Sequence, residues 1–307
     1  MPAPWPVPCR ASECKVGGDL DWERDGGRWP LREASRFVRS AGMRWHVQTL
    51  GTGPDLLLVH GTGASTHSWR GLAPLLAARW TVTSFDLPGH GFTRGVPAGG
   101  MSLTGMSSAV GALLHALSLR PVLAVGHSAG AAIVVRMALD RELEARALIS
   151  LNGALLPFNH LQGMMFPPLA KLLAALPFAP QVFSWGARDR SAVERLIAGT
   201  GSRLDAAGVD LYQRLVRSPA HIAGVMQMMA QWNLDGLVRD LPRLHTPLIQ
   251  FVGARDRTVP PGVAMRVRAL LPAARVITLP GLGHLAHEES PERVAQEIGR
   301  EADPLHV

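Results

Sequence analysis

A chain of 307 residues, 47% hydrophobic and 18% charged, holds enough apolar surface for one large core or two modest domains and argues against long internal disorder. Its formal net charge of +7 is carried almost wholly by arginine, since Lys15 and Lys171 are the only lysines. The arginines are scattered, with no basic stripe interleaved with aromatics, so the charge reads as a solvated surface and no nucleic-acid partner is expected.

Residues 1–34 form a Pro-rich leader expected to be partly disordered. It contains both cysteines, Cys9 and Cys14. Two cysteines in a chain this long make no disulfide framework, and C-x4-C falls short of the four ligands that zinc takes, so they read as free thiols of a reducing compartment. No metal or cofactor is expected. The start has no basic n-region and prolines break any apolar h-region, so no secretory signal is expected. The longest apolar stretch, Phe166 to Trp185, contains Lys171 and four prolines, Pro167, Pro168, Pro177 and Pro180, which spoil a spanning helix. A cytoplasmic protein is expected, with peripheral membrane contact left open.

After the leader, β-type runs alternate with helical patterns, the sequence sign of a mostly parallel α/β sheet. Strands are expected at Arg36 to Val38, Met43 to Leu50, Leu56 to Val59, Thr81 to Phe85, Val122 to Val125, Ala147 to Leu151, Leu248 to Val252 and Val276 to Leu279. The first two read as an antiparallel ribbon. Helices are expected at Trp69 to Ala77, Met101 to Leu117, Ala129 to Asp140 and Pro261 to Leu271, with a terminal helix from Pro291. The core is then residues 35–152 and 235–307. Between them, residues 153–234 lose the β period and turn helical, apolar and Met-rich. An insertion of that size after strand six is too long for a plain loop and should fold as a helical lid.

Gly126-His127-Ser128-Ala129-Gly130 is a G-x-S-x-G set between the apolar run VLAV and the helical run AAIVVRMAL. A serine on so tight a strand-to-helix turn sits in strained backbone, and the small neighbours leave room for it, so Ser128 is the expected nucleophile. A serine hydroxyl needs an imidazole to take its proton. His284, in GLGH just past the last strand, is the expected base, in preference to His60, His67, His90, His115, His127 and His287. The side chain of His127 should point away from Oγ, and His60 reads as a buried structural histidine. The acid should follow the penultimate strand, where GARDRTVP places Asp256. Its task is to accept the Nδ1 proton in a hydrogen bond and fix the tautomer. The oxyanion donors are expected to be the backbone N–H groups of Ala129 and of Thr62 in the loop His60-Gly61-Thr62-Gly63. Asp86, in DLPGHG, reads as a structural residue bonding turn amides.

Gly61, His127, Phe166, Met229 and Trp232 are expected to line the substrate pocket, the last three from the Met- and aromatic-rich insertion. A Met-rich surface suits large flat apolar ligands, although such spacing is also that of ordinary core.

With these residues in place, the sequence resembles the α/β-hydrolase superfamily over nearly its whole length after the leader. More narrowly, it is similar to the magnesium-chelatase accessory hydrolases of bacteriochlorophyll synthesis. The stretches that carry the narrower likeness include WPLREASRFVRSAGMRWHVQ, HGTGASTHSWRGLAPLLA, SLNGALLPF and GTGSRLDAAGVDLYQRLVRSPAHIAGVMQMMAQW. The resemblance implies the α/β-hydrolase fold, a small-molecule substrate such as a tetrapyrrole or its ester, and contact with magnesium chelatase. It does not define a reaction.

Three readings of function remain. The first is a serine hydrolase of an ester, thioester or lactone, working through an acyl-enzyme. The second keeps the triad but cleaves a C–C bond or acts as a cofactor-free haloperoxidase. The third is a non-catalytic tetrapyrrole-binding or chelatase-assisting protein. Serine at 128, where some relatives carry aspartate, weighs against epoxide-hydrolase or dehalogenase chemistry. No G-x-x-x-x-G-K-[ST] phosphate loop occurs, which sets aside a chelatase motor role.

Overall fold

In the computed structural model, residues 19–157, 180, 181, 184 and 189–305 are described. The strands are β1 Ser35–Ser40, β2 Met43–Leu50, β3 Asp55–Val59, β4 Thr81–Phe85, β5 Leu123–His127, β6 Ala147–Leu151, β7 Leu248–Gly253 and β8 Arg275–Leu279. They form one eight-stranded sheet in the order β1-β2-β4-β3-β5-β6-β7-β8. β1 and β2 are an antiparallel ribbon and β2 joins β4 antiparallel, while β4 through β8 run parallel.

The central strands β3 to β7 are buried along nearly their whole length because both sheet faces are covered. Side chains alternate across the sheet, so Leu57 and Val59 of β3 enter one core cluster while Leu56 and Leu58 enter the other. The first cluster is closed by Leu103–Ala116 and Ala129–Leu139, here α3 and α4. The second is closed by Leu72–Leu76 (α2) and the terminal helix Pro291–Ala302, which lie on the other face. The helix expected from Trp69 to Ala77 is split. A 3-10 turn covers Thr66–Trp69, and α2 starts only at Leu72, after Gly71, where the next turn begins without a side-chain cap.

Part of the leader is structural. Residues 1–18 lie outside the described residues, but 19–34 carry helix α1, Trp22–Asp25, and two 3-10 turns. Leu20 and Trp29 are buried in a cluster with Phe92, Leu211 and Leu215, and Trp22 packs edge-on against Phe37 and Phe92 at ring distances of 5.4 and 5.0 Å. The backbone N–H of Leu20 donates to Ser218 Oγ (3.4 Å), and Trp29 Nε1 donates to Thr66 Oγ1 (3.1 Å).

Between β6 and β7 the described residues form helices α5 Arg190–Gly199, α6 Ala206–Val216, α7 Pro219–Gln231 and α8 Asp235–Asp240. Three of them start as their sequences dictate. Asp189, Asp205 and Ser218 accept first-turn amides as N-caps of α5, α6 and α7. Met228 of α7 and Leu237 of α8 are buried in the same cluster as α3 and α4, so this insertion shares the main core. The expected helical stretch GMMFPPLAKLLAALPF falls wholly outside the described residues.

Candidate active site

Parallel strands bring their carboxyl ends to one edge of the sheet, and at that edge open α/β sheets bind ligands. β3 leads there into His60-Gly61-Thr62-Gly63, β5 into Ser128, β6 into Asn152, β7 into Asp256 and β8 into His284.

Ser128 sits at φ 52°, ψ −117°, a conformation that costs a non-glycine residue about 1–3 kcal/mol. The strain lifts the side chain out of the β5-to-α4 turn, and Ser128 is only half-buried although its neighbours are buried. The turn is this tight because Gly130 lies directly on β3. A Cβ there would meet the Val59 carbonyl oxygen at 2.2 Å and that of His60 at 2.6 Å. Ala129, the first residue of α4, presents an N–H that the helix itself leaves without an acceptor.

The loop after β3 packs against this turn, and a Cβ on Gly61 would lie 2.8 Å from Ser128 Cβ. Thr62 is therefore next to the serine, and it is exposed. Its peptide plane is held from behind. His60, fully buried, accepts from the Leu87 N–H at Nε2 (2.8 Å), so Nδ1 carries the hydrogen and donates to the Gly61 carbonyl (2.8 Å). Ala64 N–H donates to the same oxygen (3.2 Å). In a trans peptide the Thr62 N–H points the opposite way from that oxygen.

His284 and Asp256 are brought together as expected. His284 Nδ1 donates to Asp256 Oδ2 (2.8 Å), and both side chains are almost wholly buried. The other carboxylate oxygen, Oδ1, accepts the N–H groups of Thr258 and Val259, each at 2.8 Å. With one oxygen fixed by two amides, the other can face only the imidazole, which leaves Nε2 as the free basic nitrogen.

His127 is a correction to the expected pocket lining. It is buried, donating from Nε2 to the His284 carbonyl (2.9 Å), with its ring tilted against those of His284 and His287 at ring distances of 4.8 and 4.5 Å. Burial and then the neighbouring imidazoles of His287 and His284 hold its pKa well below the ordinary value. Alternation along β5 sends position 127 away from the face that Ser128 presents. Gly61 is in the site. Met229 is exposed on α7, whereas its neighbour Met228 is buried with Sδ 3.5 Å from Thr62 Oγ1. Trp232 is half-buried against the main core. Phe166 lies outside the described residues. Asp86 holds turn amides, accepting Thr66 N–H (2.7 Å) and Phe92 N–H (2.8 Å), and pairs with buried His46 at 2.9 Å.

Three residues of the site went unread in the sequence. Asn152, at φ 48° and 2% exposed, donates from Nδ2 to the carbonyls of Gly283 (2.8 Å) and His284 (2.7 Å) and accepts the Gly253 N–H (2.6 Å). It ties the strand before the acid to the loop bearing the base. The signal was an asparagine at a strand end, since Asn tolerates left-handed backbone. Ser202 accepts the Leu285 N–H (2.8 Å), and Glu289 accepts the N–H groups of Gly283 (2.6 Å) and Arg203 (2.9 Å). Leu285 itself is packed among Val193, Ile197 and Val209, so α5 and α6 buttress the histidine loop. Among the described residues no cluster of three or more His, Cys, Asp or Glu could hold a metal ion, and no helix is long and apolar enough to cross a membrane.

The chain is similar to known proteins over most of its length. A protein of Rhodobacter capsulatus described as the magnesium-chelatase 30 kDa subunit is 41% identical over 263 residues, 85% of this chain and 91% of that protein. Haloalkane dehalogenase 2 of Mycobacterium tuberculosis is 26% identical over 288 residues, 91% of this chain and 98% of that one. A crystal structure of an alpha/beta hydrolase fold protein from Burkholderia ambifaria superposes with a TM-score of 0.73 at 25% identity, covering 86% of this chain and 97% of that one. The alpha/beta hydrolase family model matches residues 56–297, from β3 into the terminal helix, and the chain belongs to that family.

Proposed function

We propose that this chain is a serine hydrolase of ester-like bonds, with Ser128 as nucleophile, His284 as general base and acid, and Asp256 as the group that orients His284. The observation that carries the reading is the Asp256 carboxylate, held on one oxygen by two backbone amides and on the other by His284 Nδ1, at the same sheet edge as a strained, half-buried serine.

Ser128 Oγ attacks the acyl carbon as its proton passes to His284 Nε2, and the carbonyl π electrons move to oxygen. The N–H groups of Ala129 and Thr62 receive that oxyanion. Collapse expels the alkoxide or thiolate, which takes the proton from His284, leaving the acyl group on Ser128. A water molecule then attacks, again giving its proton to His284, and the acid is released with Ser128 restored. Asp256 stays ionised and stabilises the imidazolium. An alcohol nucleophile at 128 favours acyl transfer over the halide displacement named for the dehalogenase relative. C–C hydrolysis and cofactor-free haloperoxidase chemistry use the same groups and fall within the same test.

In this reading the helices α5 to α7, between β6 and β7, cover the cleft and select the substrate. The 41% relative bears the name of a magnesium-chelatase subunit, and this favours a tetrapyrrole ester as substrate and a contact with that chelatase. The same name supports a second reading, tetrapyrrole binding without turnover. Labelling by a fluorophosphonate probe separates the two. Wild type should label, Ser128→Ala should not, and His284→Ala should label far more slowly. A folded, unlabelled wild type that still quenches protoporphyrin monomethyl ester fluorescence would establish the second reading instead.

A further inference from the structure

Thr62 stands between two carbonyls, and a buried imidazole holds each of them. His60 holds Gly61 from inside the core. The other comes from the insertion. His221 of α7, 2% exposed, donates from Nε2 to the Gly63 carbonyl (3.2 Å) and accepts the Gly91 N–H at Nδ1 (3.1 Å). Gly91 can only donate and Gly63 O can only accept, so the tautomer is fixed by its partners.

We propose that His221 is a positioning residue that sets the Gly63 carbonyl and thereby the Thr62 N–H, making the insertion helix part of the oxyanion site. The inference rests on the serine-hydrolase reading and extends it. Three residues of one helix face make the contact. Gly224 packs so close to the DLPGHG turn that a Cβ on it would lie 2.0 Å from the Gly89 carbonyl oxygen. Met228 reaches Thr62, the residue whose N–H is at issue. Positions 221, 224 and 228 follow the i, i+3, i+7 spacing of a single face. The 158 residues separating His221 from Gly63 in sequence make the bond a tertiary clamp that local loop geometry does not supply. Gly63 needs the clamp because its φ of 78° lies in a region that glycine enters and leaves readily.

The test separates the two arms of the imidazole. An asparagine amide reaches the position of Nδ1 and a glutamine amide that of Nε2, so His221→Asn keeps only the Gly91 contact and His221→Gln only the Gly63 contact. With p-nitrophenyl butyrate, His221→Ala and His221→Asn should lose about tenfold in kcat with KM within about twofold, less than the loss of a whole oxyanion donor because Thr62 remains present. His221→Gln should keep a kcat close to wild type. Fluorophosphonate labelling rates should follow the same order, while thermal midpoints fall in all three variants. Should His221→Ala fail to fold, the Asn and Gln pair decides alone. Wild-type kcat in His221→Asn, or equal losses in Asn and Gln, would overturn the inference and leave the hydrolase reading standing. A wild type that neither labels nor turns over ester would remove both.

Discussion

The side-chain amide of Asn152 donates to the backbone carbonyl of His284 at 2.7 Å, so the base of the proposed triad is held by the residue that follows β6. The same amide bonds Gly283 directly, and its oxygen takes the Gly253 N–H. Asn152→Ala would take one donor from the His284 carbonyl, which keeps His127, and would leave the buried Gly283 carbonyl and the Gly253 N–H without this partner, at about 1–3 kcal/mol each before relaxation. Denaturant unfolding should show a loss of at least about 2 kcal/mol, and kcat should fall more than KM rises. Asn152→Asp, nearly isosteric, turns an oxygen toward the two carbonyls and should be no better than alanine.

Asp256→Asn tests the orientation of the base. The Thr258 and Val259 amides require an oxygen, so the asparagine NH2 must face His284 Nδ1. That forces Nδ1 to accept and puts the hydrogen on Nε2, the nitrogen that should take the serine proton. Ester turnover should fall about a thousand- to ten-thousand-fold with the fold intact. A drop of less than tenfold would mean that Asp256 is not the orienting acid.

Two glycine variants distinguish blocking the site from breaking the turn. Gly61→Ala directs its methyl group at Ser128 Cβ and should give folded protein, by circular dichroism, that labels poorly with fluorophosphonate. Gly130→Ala directs its methyl group at two main-chain oxygens of the central strand, which have no freedom to give way, and should not yield soluble protein. Equal labelling of Gly61→Ala and wild type would remove the loop from the site.

Acid should unfold this protein through its histidines. Burial holds His67, His90, His127 and His287 well below the ordinary imidazole value, His60 below it, and His221 at about 4. In the unfolded chain each titrates near about 6.5, so between that value and the folded one the unfolded chain binds more protons. Stability is therefore complete above about pH 6.5 and falls as pH drops through the window, by up to about 1.4 kcal/mol per pH unit for each histidine kept neutral. Thermal midpoints taken from pH 8 to pH 4 should be flat at first and then fall steeply. A midpoint unchanged between pH 7 and pH 5 would contradict the buried, neutral assignment.

The sheet was legible because its strands are short β-type runs set apart by turn residues and helical patterns. Met43–Leu50, Thr81–Phe85 and Ala147–Leu151 have the same bounds in sequence and structure. The residues at the carboxyl ends of β5, β7 and β8 were legible for a related reason, since a tight turn and a loop polar residue follow each apolar run. Asn152 and His221 were not, because their partners are main-chain groups more than a hundred residues away, and no spacing rule connects a side chain to a distant carbonyl. On α7 the expected pocket residue Met229 is exposed, and the methionine that reaches Thr62 is Met228. The run MQMM offers methionine at 226, 228 and 229, and only the contact with Thr62 decides that 228 faces inward.

The segment at residues 19–34 has a consequence for how the chain acquires its shape. Leu20 bonds Ser218, 198 residues later, and shares its cluster with Leu211 and Leu215. During synthesis Trp22 and Trp29 emerge first and their last partners emerge when two thirds of the protein has been made. Contacts of that separation form late because the intervening chain must first be ordered. Until then the two tryptophans lack the cover of Leu211 and Leu215, and their docking adds one more fastening between the start of the described chain and the helices between β6 and β7.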